Sequence, residues 1–216
     1  MSEVEGETHS VCQGESTTSL SFERGLYWKT VWQHANNASL RSKRSNPNIL
    51  LEGDEIFLPF LQQKDESCAT GQKHRFQRKG VPETLNLTFL DMYGKPLKDK
   101  PYKLTIDGDF RKGTLDANGK LSEPIPPNAR SAKVEVGDKG ELATTEVFLG
   151  HLDPVETLTG VQARLKNLGY FGAAIDGEPS DLLDKAVVRF RRKNGMEEGK
   201  EINDDLRNKL KDLHGG

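Results

Sequence analysis

Side chains able to do chemistry are plentiful in this 216-residue chain, but the spacings that chemistry needs are missing. The five histidines, His9, His34, His74, His151 and His214, are scattered, with no His-Glu-x-x-His pair and no Cys/His cluster of the kind that holds zinc. No Gly-x-Ser-x-Gly elbow presents a nucleophile, and no glycine-rich loop is built to cradle phosphate. Carboxylates are abundant, yet no pair stands apart from the solvated background, and spacing alone does not define a glycosidase dyad. Cys12 and Cys68 are expected as reduced, partly buried thiols, with a disulfide the less favoured alternative. The expectation is a protein that is not an enzyme and uses no cofactor or metal. Its ligand contacts must then come from turns and loops.

The elements that would position such loops are short. Glycine and proline number 21 and 10, and the hydrophobic fraction is 34%, which favours small cores separated by many turns. The length suits two or three such cores, since domains run roughly 100–150 residues. Thirty-one basic and 33 acidic side chains leave no basic excess, so neither nucleic acid nor an anionic membrane is expected as a partner. The opening MSEVEGETHS has no basic stretch followed by an apolar one, so no Sec signal is expected. Apolar stretches such as 56–61 fall well short of the roughly 20 residues that cross a bilayer, which argues against membrane insertion. The protein is expected to be made and folded in the cytoplasm. Delivery to a periplasm or cell wall would need a non-Sec route.

Periodicity divides the chain into an α+β, multidomain arrangement: residues 8–60, a polar linker at 61–80, a β-rich stretch at 81–150, and a helical stretch at 155–214. In the third segment Leu85, Leu87 and Phe89 share one strand face, Tyr102, Leu104 and Ile106 another, and Ala132, Val134 and Val136 another. Tyr93-Gly94, Asp107-Gly108 and Asn118-Gly119 are turn signals between them. Pro124, Pro126 and Pro127 mark an edge or a crossing loop, because proline donates nothing to a ladder. A small antiparallel β-sandwich is expected, with no catalytic grouping on it.

In the first segment His9-Ser10-Val11 reads as a short strand, and Ser16 or a neighbouring Thr as a helix N-cap. Leu20, Tyr27, Val31 and Trp32 supply contacts for two short helices, and 54–58 form a strand that stops at Pro59. This βααβ order resembles a LysM domain. The resemblance rests on His9-Ser10-Val11 followed by Gly14-Glu15-Ser16, on the Trp28 to Trp32 helix leading to Asn36-Asn37, and on Asn46-Pro47-Asn48-Ile49 followed by Gly53-Asp54-Glu55-Ile56-Phe57-Leu58-Pro59. LysM domains bind N-acetylglucosamine polymers such as peptidoglycan and chitin in a shallow groove between two loops. The resemblance implies glycan contacts at Gly14, Glu15, Ser16 and Thr17 and at Asn46, Pro47, Asn48, Ile49 and Leu50. Backbone donors and acceptors on loops, with small apolar surfaces, suit sugar acetamides. The 37–46 stretch is longer and more basic than the resemblance implies, with Arg41, Lys43 and Arg44.

In the last segment Leu158, Val161, Leu165 and Leu168 lie on one helix face, and Gly169 stops that helix. Ser180 is the expected cap of a second helix with Leu183, Ala186, Val187 and Phe190 inside. Asn203 is the expected cap of a third, with Leu206, Leu210 and Leu213 as its buried stripe. Val161-Gln162-x-Arg164-Leu165-x-x-Leu168-Gly169-Tyr170, Ile175-Asp176-Gly177 and Ala186-Val187-x-x-Phe190 resemble the three-helix peptidoglycan-binding domain appended to wall-active proteins. That resemblance implies a three-helix bundle with a shallow wall-binding site at Gly169, Tyr170, Asp176 and Gly177. After the Asp-Gly pair, Pro179, Ser180, Asp181 and Leu183 stand where that family carries an aromatic, Gly, Pro and Thr.

Together these readings imply a non-catalytic peptidoglycan-binding protein with two small modules whose weak contacts add through avidity. A second reading stays open. The stretch 149–154 running into the helical segment, behind a small β-rich unit, resembles components of contractile, phage-tail-like machines such as type VI secretion, where such modules bind secretion-machine proteins. A third is a targeting subunit for a separate hydrolase. The basic runs at 73–79 and 189–193 read as solvated charge.

Overall fold

The computed structural model describes residues 5–62, 67–75, 83–138 and 142–215. The chain is mixed α+β, with six α-helices and antiparallel strand pairs among the described residues. Buried apolar side chains fall into three clusters, one for each patterned segment.

The first cluster is built by β1 (Gly6–Ser10), α1 (Thr17–Glu23), α2 (Trp28–Trp32), a 3-10 turn (Ala35–Asn37), α3 (Ala38–Lys43) and β2 (Glu55–Pro59). Strand β1 pairs antiparallel with β2, placing His9 opposite Ile56. Val11, expected in the strand, lies one residue beyond it; its backbone is bonded to Gly53 and Asp54 (2.8 Å each), and its side chain joins the core. Two helices were expected, and three form, because the basic stretch after Asn37 is itself helical. Arg41 on α3 donates to the carbonyl of Trp32, the last residue of α2, and to that of His34, which precedes the 3-10 turn. Buried Asn37 ties the helices to β2, donating to Val31 O and Phe57 O and accepting from Phe57 N.

The second cluster joins two sheets. β4 (Pro101–Ile106), β5 (Asp109–Thr114), β7 (Ser131–Val136) and β8 (Ala143–Phe148) pair in the order β5-β4-β7-β8, while β3 (Glu83–Thr88) pairs with β6 (Lys120–Ile125). Tyr102, Leu104, Ile106, Ala132, Val134 and Val136 are all buried, as their alternation predicts, and Leu85 and Leu121 reach the same core from the two-stranded sheet. Leu87 and Phe89 are only partly buried. Pro124 sits in β6, at the sheet edge where its missing N–H costs nothing. Two turns share one design: Asp91 Oδ1 accepts from Tyr93 N and Lys95 N, and Asp116 Oδ1 from Asn118 N and Lys120 N. The following Gly94 and Gly119 take φ of 78° and 70°. Of the linker, residues 67–75 are exposed; residues 63–66 and 76–80, and with them most of the 73–79 basic run, lie outside the described residues.

The third cluster is formed by α4 (Leu158–Asn167), α5 (Asp181–Lys193) and α6 (Asp204–His214). Thr157, Ser180 and Asn203 cap them through side-chain oxygens that accept from Gly160 N, Leu183 N and Leu206 N. Val161, Leu165, Leu183, Val187, Phe190, Leu206 and Leu210 are inside. Leu213, expected in that stripe, is 47% exposed, because the third-cluster core ends one turn earlier, at Leu210. Gly160 packs against the preceding chain: a β-carbon there would lie 2.0 Å from Pro154 O. Among the described residues no helix is long and apolar enough to cross a membrane.

Candidate functional site

Loops 14–17 and 46–50 are brought together, as a two-loop groove requires, but their polar groups are bonded to each other. Ser16 forms a capping box with Ser19, its Oγ accepting from Ser19 N (3.1 Å) and its N donating to Ser19 Oγ (2.9 Å). Thr17 N donates to Pro47 O (3.0 Å), Thr18 Oγ1 donates to Asn48 Oδ1, and Asn48 N donates to Asn46 Oδ1 (2.8 Å). Leu50 is a core residue of the first cluster. Glu15 accepts from Cys12 N (2.9 Å) and pairs with His9 (2.7 Å). Burial opposes its ionisation, but these bonds and nearby Arg130 outweigh it and hold its carboxyl below the ordinary range.

Other parts of the chain cover the same loops. Gly14 is buried with φ +87°, and the Gly150 backbone approaches so closely that a β-carbon on Gly150 would lie 2.4 Å from Gly14 O. Arg130 Nη2 stands 3.9 Å from Glu15 and 3.8 Å from Glu23. Asn48 Nδ2 donates to Glu83 at the start of β3 (3.3 Å). Asn46 and Ile49 line a cleft of about 10 Å³ whose far side is Pro154, Val155 and Arg164, room for about one water. None of the nine candidate residues here is freely exposed.

The second set is arranged differently. Gly169 follows α4 with φ +79° and is exposed. Tyr170 is half-buried, its ring edge-on to Phe190 with centroids 5.1 Å apart. Asp176 is exposed, and Gly177 takes φ +76°. One side chain holds this turn: the fully buried Gln162 donates to Asp176 Oδ1 (2.9 Å) and Glu178 O (3.0 Å), and accepts from Asp176 N (3.1 Å) and Gly177 N (2.9 Å). Asp176 also accepts from Glu178 N, and these two bonds lower its pKa. Gln162 had been visible only as part of the sequence pattern. Its signal was a polar residue four positions after Leu158 and three before Leu165, on the side of the helix that turns inward.

Arg164 is buried too; its Nη1 donates to Asp153 O and Gly160 O, and loss of solvent lowers its pKa. Cys12 and Cys68 are free and exposed rather than partly buried; Cys12 follows the core residue Val11 but faces outward, and Cys68 lies in the exposed 67–75 stretch. Among the described residues no three His, Cys, Asp or Glu side chains gather to hold a metal. Compared with known protein families, curated proteins and solved structures, the chain matches none.

Proposed function

We propose that the protein is a non-catalytic peptidoglycan-binding protein, built from a LysM-like unit, a β-sandwich and a three-helix bundle, in which the helical unit makes the wall contact. The observation that carries this reading is the 176–177 turn. Asp176 is exposed, the turn is held from inside by three bonds of Gln162 to its backbone and one to the Asp176 carboxylate, and the half-buried Tyr170 belongs to the same unit, so a fixed carboxylate and an aromatic edge face solvent without ordering cost. The test is sedimentation of the protein with purified peptidoglycan. Removal of residues 155–216 should abolish retention, and undiminished retention would move the activity to the first 60 residues.

A second reading has its own support. The LysM-like loops are covered by protein groups, Glu83 on Asn48 and Gly150 on Gly14, which suits a module used for protein contact inside a contractile, phage-tail-like assembly such as type VI secretion. Co-purification with spike or tube components, without retention on peptidoglycan, would favour it.

A further inference from the structure

We propose that the outer face of α5 is a docking site for an acidic amphipathic helix of a protein partner, a role beyond wall binding that shares only Tyr170 with the proposed wall site. Leu182, Lys185, Arg189 and Arg192 recur at helical spacing, so they form one line along α5. That line points away from the core, which takes Leu183, Ala186, Val187 and Phe190 instead. Beside it runs an open concavity of about 710 Å³, with Tyr170, Gly172 and Ala173 on its other side. Its apolar surface is real: Leu182 and Val188 are 59% and 41% exposed.

The cations along this line lack acids. Arg189 donates to the Tyr170 carbonyl, and its guanidinium lies 5.9 Å from the Tyr170 ring centroid, which fixes its position without neutralising it. The side chains of Lys185 and Arg192 have no hydrogen-bond or ion-pair partner among the described residues. The one acid in the groove, Asp184, is taken by Lys200 at 2.7 Å. The whole chain carries a net charge of −2, so this positive strip is a local departure rather than a general surface property.

The mixture of groups selects the occupant. A polyphosphate would use the three cations but leave Leu182 and Val188 against water, and a flat anionic bilayer does not follow a concave wall. A helix with carboxylates at positions matching Lys185, Arg189 and Arg192, and leucines between them, satisfies both kinds of surface. From Leu182 to Arg192 the line measures about 15 Å, which about three turns of a partner helix would cover.

The test uses the full chain and a fluorescein-labelled Glu/Leu amphipathic peptide of about 14 residues, read by anisotropy, beside a scrambled peptide of the same composition. The Lys185→Glu/Arg192→Glu double variant should weaken binding at least about tenfold, and Leu182→Ala about threefold. The scramble should bind more weakly than the helix, and retention on peptidoglycan should be unchanged in the double variant. All these positions are exposed, so melting temperatures should stay near that of the parent. Absence of peptide binding, equal binding of the scramble, or insensitivity to charge reversal would overturn the proposal. So would phosphatidylglycerol vesicles or duplex DNA that bind as tightly and lose as much in the double variant. Loss of peptidoglycan retention in that variant would assign the groove to the wall instead.

Discussion

Replacing Gln162 by Leu keeps most of the side-chain volume and removes only the amide. Four hydrogen bonds disappear with it, two donated and two accepted, all at 2.9–3.1 Å. Each such bond contributes about 0.5–1.5 kcal/mol net, which would give about 2–6 kcal/mol if none were replaced. The partners on the turn are at or near the surface, and water can satisfy part of what they lose, so the expected cost is about 2–3 kcal/mol. Hydrogen exchange read by mass spectrometry across a urea series is the appropriate assay. Amides of the 176–178 turn and of α4 should lose protection in step with that cost. Both tryptophans, Trp28 and Trp32, lie in the first unit, so tryptophan fluorescence serves as an internal control and its urea midpoint should not move. If the turn meets the wall, Gln162→Leu should also weaken retention on peptidoglycan, although no exposed side chain has changed. Unaltered protection at 176–178, with a cost below about 0.5 kcal/mol, would refute the clamp. A shifted tryptophan midpoint would show that the loss spreads to the first unit across the cleft that Asn46 and Ile49 share with Pro154, Val155 and Arg164.

Asp54 and Arg44 form a two-pronged ion pair at 2.7 and 3.0 Å, with side chains only 9% and 15% exposed, so Asp54→Asn should cost the first unit about 2–3 kcal/mol in tryptophan-monitored urea unfolding. Burial works against the Asp54 charge, but Arg44 and the Leu51 N–H overcome it and place its pKa below 3.8; the pair's contribution is therefore complete above the unfolded-state value and is lost as pH falls through the lowered one. Tyr102 is pushed up to about 12, first by burial and then by Glu123, which accepts its hydroxyl at 2.6 Å; a phenolate absorbance step near that pH should vanish in Tyr102→Phe, and the stability its neutral form supplies should fade between about pH 10 and that step. Gly160→Ala should cost about 3 kcal/mol or more by thermal unfolding, because the new methyl meets backbone oxygens at 2.0 and 2.7 Å that cannot step aside. Both free cysteines should react with a maleimide in the folded protein, giving two adducts by mass; none would indicate a disulfide.

What could be read in advance was whatever buries one face at a regular period. β4 and β7 alternate cleanly because each has a strand on both sides and a core beneath, and α5 and α6 declare themselves by one apolar face and a capping Ser180 or Asn203. β5 and β8 escaped notice for the opposite reason. They are the edges of the sheet, Phe110 and Phe148 point outward at 55% and 67% exposure, and no alternation survives where little is buried. α3 carries a single buried apolar side chain, Leu40, so its helical state depends on Arg41 reaching the end of α2, a contact that no local period encodes.

The candidate site divides along the same line. Asn-Pro-Asn, Gly-Glu-Ser and Asp-Gly were legible as turns because their backbone requirements are local. Which way their donors face was not, since that is decided by residues far along the chain: Glu83 reaches Asn48, and Gly150 closes on Gly14. The 176–177 turn differs because its anchor, Gln162, lies within the same unit and bonds the turn from the inside, leaving its outer side to solvent. A turn held from within by its own unit keeps a surface to offer, whereas a turn covered by a neighbouring unit must first be uncovered. That distinction, rather than turn composition, separates the two sets of candidate residues and places the stronger expectation of ligand contact on the helical unit.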